Sequence, residues 1–158
     1  MRIVCLIGFV LAGCAAPLTQ YQRLAALETP AAWREGGAWT FHVVGTHRQD
    51  IGDLTLRLTD QAAQTCNGDG WRRAEVLATS IESPPLNHWS GAGAGTPGPY
   101  PAYLIEGRNL WLLLNAPICD NDWTMRGALK DHGAEGTFGT EGMLGGERLG
   151  TFVATKSR

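Results

Sequence analysis

The side chains of this 158-residue chain that could do chemistry are few and scattered. Asp120 and Asp122 stand two positions apart, and Asp69 would join them if Cys66 paired with Cys119; such carboxylates could gather around one calcium ion. Aspartate and asparagine beside glycine, as in Cys66-Asn67-Gly68-Asp69-Gly70, also make ordinary turns by bonding their own backbone. We take the turn reading forward and assign no metal and no cofactor. His42 and His47 are oddly spaced, so on one strand they would face opposite sides, while His88 and His132 fall in loops. Single histidines of this kind read as solvated or structural groups. Ser80, Ser83, Ser90 and Ser157 lack a Gly-x-Ser-x-Gly elbow, and the chain has no His-Glu-x-x-His and no phosphate-binding glycine loop. No catalytic residue is assigned, and the expectation is a protein that is not an enzyme.

One cysteine stands in a context of its own. Arg2 supplies a positive start, Ile3 to Leu11 an apolar stretch, and Ala12-Gly13 a small-residue cleavage site, the three parts of a signal segment over residues 1–13. A membrane-spanning helix needs about 20 apolar residues, and this run ends by Pro17. Leu11-Ala12-Gly13-Cys14 resembles the lipobox of bacterial lipoproteins. The resemblance implies that the Cys14 thiol is diacylated, that the chain is cut before it and that the new amine is often acylated too. Ala15 follows where aspartate often signals retention in the inner membrane, so the expected address is the outer membrane, lipid-anchored and facing the periplasm.

Under that reading Cys5 leaves with the signal and Cys14 carries lipid. Cys66 and Cys119 remain, and two leftover thiols in an oxidising compartment most simply pair. Closing a loop of this length stabilises a fold by about 4 kcal/mol in the chain-entropy model. Zinc is the weaker alternative, because neither cysteine has a second cysteine or histidine at ligand spacing.

A net charge of -2 without any lysine or arginine block excludes the electrostatic footprint of a nucleic-acid binder. Arg72-Arg73 is only a doublet. Hydrophobic residues at 44% with 18% charged argue for a folded body, and 21 glycines argue for many turns.

Residues 14–35 read as a lipidated tether. Leu18, Tyr21, Leu24 and Leu27 fall at three-residue steps and suit a short helix, while Pro17 and the polar flanks suit a flexible spacer. Thr29-Pro30-Ala31-Ala32-Trp33 reads as a capped single turn with proline at its first helical position. The body, residues 36–158, changes period. Trp39, Phe41 and Val43 alternate with Thr40, His42 and Val44, Leu54, Leu56 and Leu58 alternate with Thr55, Arg57 and Thr59, and Trp71 to Ala78 makes a third strand with Ala74, Val76 and Ala78 on one face. Ser83 to Pro101, rich in proline and glycine, reads as a long exposed loop. Tyr103-Leu104-Ile105 and Leu110 to Leu114 form the clearest hairpin, and Trp123 to Leu129, Gly136 to Thr140 and Leu149 to Thr155 follow. About eight short strands with short links predict an all-β fold, a small antiparallel up-and-down β-barrel.

Gly37-Ala38-Trp39 opens the first strand and looks like the Gly-x-Trp signature of lipocalins, in which the tryptophan closes the barrel bottom and a late-strand arginine packs on it. Arg148 is the matching arginine here. Thr59-Asp60-Gln61 departs from the family's Thr-Asp-Tyr segment, falling earlier and ending in glutamine. What the resemblance implies is a cup for an apolar ligand. Trp39, Trp71, Trp111 and Trp123 fall in or beside strands as core or lining, whereas Trp89 sits in the long loop near Tyr100 and Tyr103. The residues expected to meet a ligand are Trp39, Trp89, Tyr100 and Trp111. Two functions follow: a carrier of a small apolar molecule, or a protein-interaction module of the cell envelope, an assembly subunit or an inhibitor of a periplasmic enzyme, with a solid barrel core. A void inside the barrel favours the first and a filled core the second.

Overall fold

The computed structural model of the chain describes residues 18–81, 100–117, 122–142 and 145–157. Two short helices, α1 (Gln20–Ala25) and α2 (Ala31–Arg34), precede eight strands. These are β1 (Gly37–Gly45), β2 (Asp50–Ala62), β3 (Arg72–Thr79), β4 (Ala102–Glu106), β5 (Asn109–Leu113), β6 (Asp122–Lys130), β7 (Gly133–Glu141) and β8 (Arg148–Lys156). Every strand runs antiparallel to its sequence neighbour, and β8 closes on β1 from Trp39↔Lys156 to Gly45↔Gly150, so the sheet is a closed barrel in sequence order. Closure removes the sheet edges that an open all-β fold of this size would have to shield.

Period-two burial does what the sequence requires of it. Trp39, Phe41 and Val43 of β1 and Leu54, Leu56 and Leu58 of β2 point inward, as do Leu110 and Leu112 of β5 and Phe152 and Ala154 of β8. Inside the β6–β7 wall, Gly127 faces Gly136 across the ladder. A Cβ on Gly127 would lie 2.9 Å from Phe152 Cζ, and one on Gly136 would lie 2.0 Å from the Arg126 carbonyl. The bare pair lets the two strands curl tightly and lets the Phe152 ring occupy the space.

The base of the barrel is where β1 begins and β2 and β8 end. There α2 carries Trp33, 3% exposed, onto Trp39 in a parallel stack with ring centroids 3.6 Å apart. The Trp33 indole N–H donates to the carbonyls of Lys130 and Gly133, each at 3.2 Å, and so ties the plug to the β6–β7 turn. The local expectation for this turn needs correcting at its start. Pro30 is the N-cap, Ala31 the first helical residue, and Thr29 caps nothing. Its hydroxyl instead donates to the Gly107 carbonyl, because the chain is recruited by the β4–β5 turn.

The tether resolves in favour of the helix. Thr19 and Gln22 form a reciprocal capping box at the start of α1. Its far end wraps the β4–β5 turn, where the Arg108 N–H donates to the Leu24 carbonyl at 2.9 Å and Asn109 Nδ2 donates to the Tyr21 carbonyl at 3.0 Å. Gly107, at φ 58°, is needed here twice over. Its turn is left-handed, and a Cβ would sit 2.4 Å from the Ala25 carbonyl oxygen. Residues 18–36 are thus a strap bound to the barrel.

The weakest seam is β3–β4, which pairs only at Arg72↔Tyr103 and Arg73↔Ala102 before Pro101 accepts one further bond from the Ala74 N–H. Pro101 has no N–H to return. Above it the inward alternation expected of β3 lapses. A register shift opposite Thr55/Leu56 turns the strand there, and Ala78 is exposed instead of inward-facing.

Since Trp33 fills the base and bonds two strand-end carbonyls, Trp33→Ala is expected to cost about 3–5 kcal/mol in urea unfolding, comparable with a core aromatic deletion. A cost below about 1 kcal/mol, that of an ordinary surface substitution, would contradict the plug.

Candidate functional site

Of the residues expected to meet a ligand, the three that are described, Trp39, Tyr100 and Trp111, do not converge. Trp39 lies wholly inside the barrel, sealed beneath Trp33. Its Nε1 is, among the described residues, the one buried side-chain polar atom without a hydrogen-bond partner. Trp111 alternates the other way on β5 and lies on the outer wall. Tyr100 is also outside, where its hydroxyl bonds the Gln64 carbonyl and accepts from the Gln64 N–H, both at 3.1 Å, and Arg73 stacks over its ring at 4.0 Å. Trp89 lies outside the described residues, as does most of the loop from Ser83 to Pro101.

The outer wall carries a second apolar cluster that sequence alone did not separate from the core. Trp71, Ala102, Leu113 and Ala116 are buried there, with Ala63, Tyr100, Leu104 and Trp111 around them. Trp111 is the joint. Trp71 reaches it from the β2–β3 connection at 6.2 Å, Tyr21 from α1 at 5.6 Å, and the Arg126 guanidinium covers its ring at 4.2 Å. The signal for this second layer was the run Leu110 to Leu114, apolar at every position and so apolar on both faces of the strand.

Among the described residues the central inward side chains are closely packed. Trp39, Phe41, Val43, Leu54, Leu56, Leu110, Leu112, Leu114 and Met125 are all 0% exposed, and Phe138 and Phe152 are 1% exposed. A void wide enough for one water would count as accessible surface on the side chains lining it, so none adjoins these residues. The described clefts open to the outside, and one of about 560 Å³ at the β3–β4 seam reaches Ala74 of the core and Val76 packed against it. Another, of about 610 Å³, lies between the strap and the lower ends of β2 and β4, over Trp33, Leu58 and Ile105. Its arginines are engaged: Arg34 with Glu28, Arg57 with Glu75 at 2.8 Å, and Arg72 with Asp60.

Of the four histidines, His42, His47 and His132 are described and exposed, and His88 lies outside the described residues. His42 Nδ1 meets Asp53 Oδ1 at 2.8 Å across β1 and β2 on the outer face. Ser80 is nearby, but its Oγ accepts from the Asp53 N–H and is not bonded to the imidazole, so no nucleophile–base pair forms. Asp69 is exposed; Asp120 and the Asp122 side chain lie outside the described residues, and no metal-holding cluster occurs among the described ones.

Cys66 is disulfide-bonded. Cys119, its expected partner, lies outside the described residues, as does Cys14. Cys66 and Pro117 line one small recess, which brings the chain to within two residues of Cys119. Arg148 does not reach Trp39, correcting its expected role. It opens β8 beside Gly139 at the top of the barrel, and Lys156 is the residue paired with Trp39.

Tyr103 is 7% exposed, and its hydroxyl donates to the Thr59 carbonyl at 2.8 Å. Burial pushes its hydroxyl above the ordinary tyrosine value and Asp60 adds to the rise, while Arg72 opposes it. Neither a protein-family model, nor a curated protein, nor a solved structure matches this chain.

Because the folded Tyr103 holds its proton more tightly than the unfolded chain, its contribution to stability is whole below about pH 10 and is lost as pH rises through the folded value. An ultraviolet titration should show one tyrosine ionising late, and Tyr103→Phe should abolish that late step. At neutral pH, Cys66→Ser is expected to cost about 2–5 kcal/mol in denaturant unfolding under non-reducing conditions, and an unchanged midpoint would deny the disulfide its structural role.

Proposed function

We propose that this chain is a non-enzymatic lipoprotein of the bacterial cell envelope, held on the outer membrane through Cys14, whose barrel works by its surface. It is a protein-interaction module, an assembly subunit or an inhibitor of a periplasmic enzyme. The single observation that supports this reading is the close packing of the central interior: nine inward side chains expose nothing even to a water-sized sphere. A carrier of a small apolar molecule would need those side chains to face a cavity of about 300 Å³ or more.

The surface has features that suit a protein partner. The upper half of β3 stands beyond the last β4 pairing and exposes Leu77, at 40%. The mixed, paired charges of the outer clefts favour directional contacts over nonspecific adhesion to polyanions.

Native mass spectrometry of the Cys14→Ala protein, exported with a cleavable signal and purified without detergent, tests the choice. The expected result is the bare polypeptide mass, lower by two hydrogens for the disulfide. A reproducible additional mass removed by organic extraction would overturn the solid-core reading in favour of a ligand carrier.

A further inference from the structure

We propose that the strap side of the barrel lies against the bilayer, with its base and the β6–β7 turn near the membrane and the β1–β2 turn pointing away. This rests on the lipid anchor at Cys14 and adds an orientation to it. Only three residues separate Cys14 from Leu18, the first described residue, and the four Cα–Cα steps, fully extended, span at most about 14 Å. From there the chain has no free swing, because α1 is bonded to the β4–β5 turn through Leu24 and Tyr21, and Thr29 is bonded to Gly107. An anchor on so short a lead holds the strap within reach of the lipid headgroups.

The strap is also dressed for that place. Of the large apolar residues left exposed among the described ones, three of five lie within its ten residues Leu18 to Leu27: Leu18 at 57%, Tyr21 at 38% and Leu27 at 50%. Tyr21 is engaged on the barrel, its ring on Trp111 and its hydroxyl donating to Glu106, so Leu18 and Leu27 are the side chains free to enter the boundary between headgroups and acyl chains. The charges around the base do not compete for the role. Glu28 pairs with Arg34, Asp131 with Arg108, Glu135 with Lys130, and Glu35 with Lys156, and Glu106 accepts from the Tyr21 hydroxyl; Arg23, exposed on α1, is a single charge and not a basic patch that would make contact depend on anionic lipid. The occupant of this surface is the bilayer itself, met by shallow apolar insertion.

The experiment places a fluorophore on single introduced cysteines in the lipidated protein, on phosphatidylcholine vesicles carrying a nitroxide lipid. Leu27→Cys marks the strap, His132→Cys the β6–β7 turn at the base, and His47→Cys the β1–β2 turn at the far end; all three positions are exposed. Labels at 27 and 132 should lose most of their fluorescence while the label at 47 keeps it, and adding phosphatidylglycerol should change none of this. In a Leu18→Glu, Leu27→Glu background the protein should stay on the vesicles by its lipid, but the label at 132 should recover. Equal quenching at 47 and 132 with Cys14 acylated by intact mass would overturn the orientation and leave the anchor standing. An unmodified Cys14 would overturn both.

Discussion

Everything at the lower end of this barrel depends on one contact, the stack of Trp33 on Trp39. An eight-stranded barrel has two open ends, and the end where β1 begins would admit water to a column of leucine and phenylalanine. Trp33 seals it. Two aromatic faces in van der Waals contact bury their area against each other, while the Trp33 N–H satisfies carbonyls at the ends of β6 and β7. The stack confines the Trp39 indole so closely that its own N–H is left unpaired, at a cost of about 1–3 kcal/mol. Burial of the two rings outweighs it.

The same stack makes residues 18–36 a strap bound to the barrel and not a leash. Trp33 fixes its C-terminal end, the β4–β5 turn grips its middle through Gly107 and Arg108, and Tyr21 docks on Trp111. Trp111 in turn takes Trp71 and Arg126, so the outer wall is stapled by aromatic contacts as the central interior is packed by aliphatic ones. Strap and barrel become one mechanical unit, so that whatever holds the strap also sets the direction in which the barrel faces.

Most of the barrel was legible because period-two alternation is a strong signal wherever one face is buried. Trp39-Phe41-Val43, Leu54-Leu56-Leu58 and the hairpin about Gly107 all lie where their pattern places them. Three things were not legible, each for a physical reason. Pro30 and Thr29 suggested a self-capped turn, but a tertiary bond to Gly107 took the threonine hydroxyl. Arg148 matched a family position by order along the chain, yet the antiparallel register sets it at the opposite end from Trp39, which no spacing reveals. The tryptophans were countable but not sortable. Trp39 and Trp111 both sit in strands, and only closure of the barrel decides that one faces in and the other out. Trp33, six residues before Trp39 on a single helical turn, carried no periodic signal at all.

The account stands on the barrel being solid. Methyl NMR of Met125, a wholly buried residue on β6, under xenon pressure asks this directly, because xenon enters apolar voids that water avoids. A filled core predicts that the Met125 signal and those of its neighbours Leu112 and Phe138 stay where they are across the titration. A saturable shift confined to these inward residues would reveal a cavity behind the tryptophan stack and contradict the account.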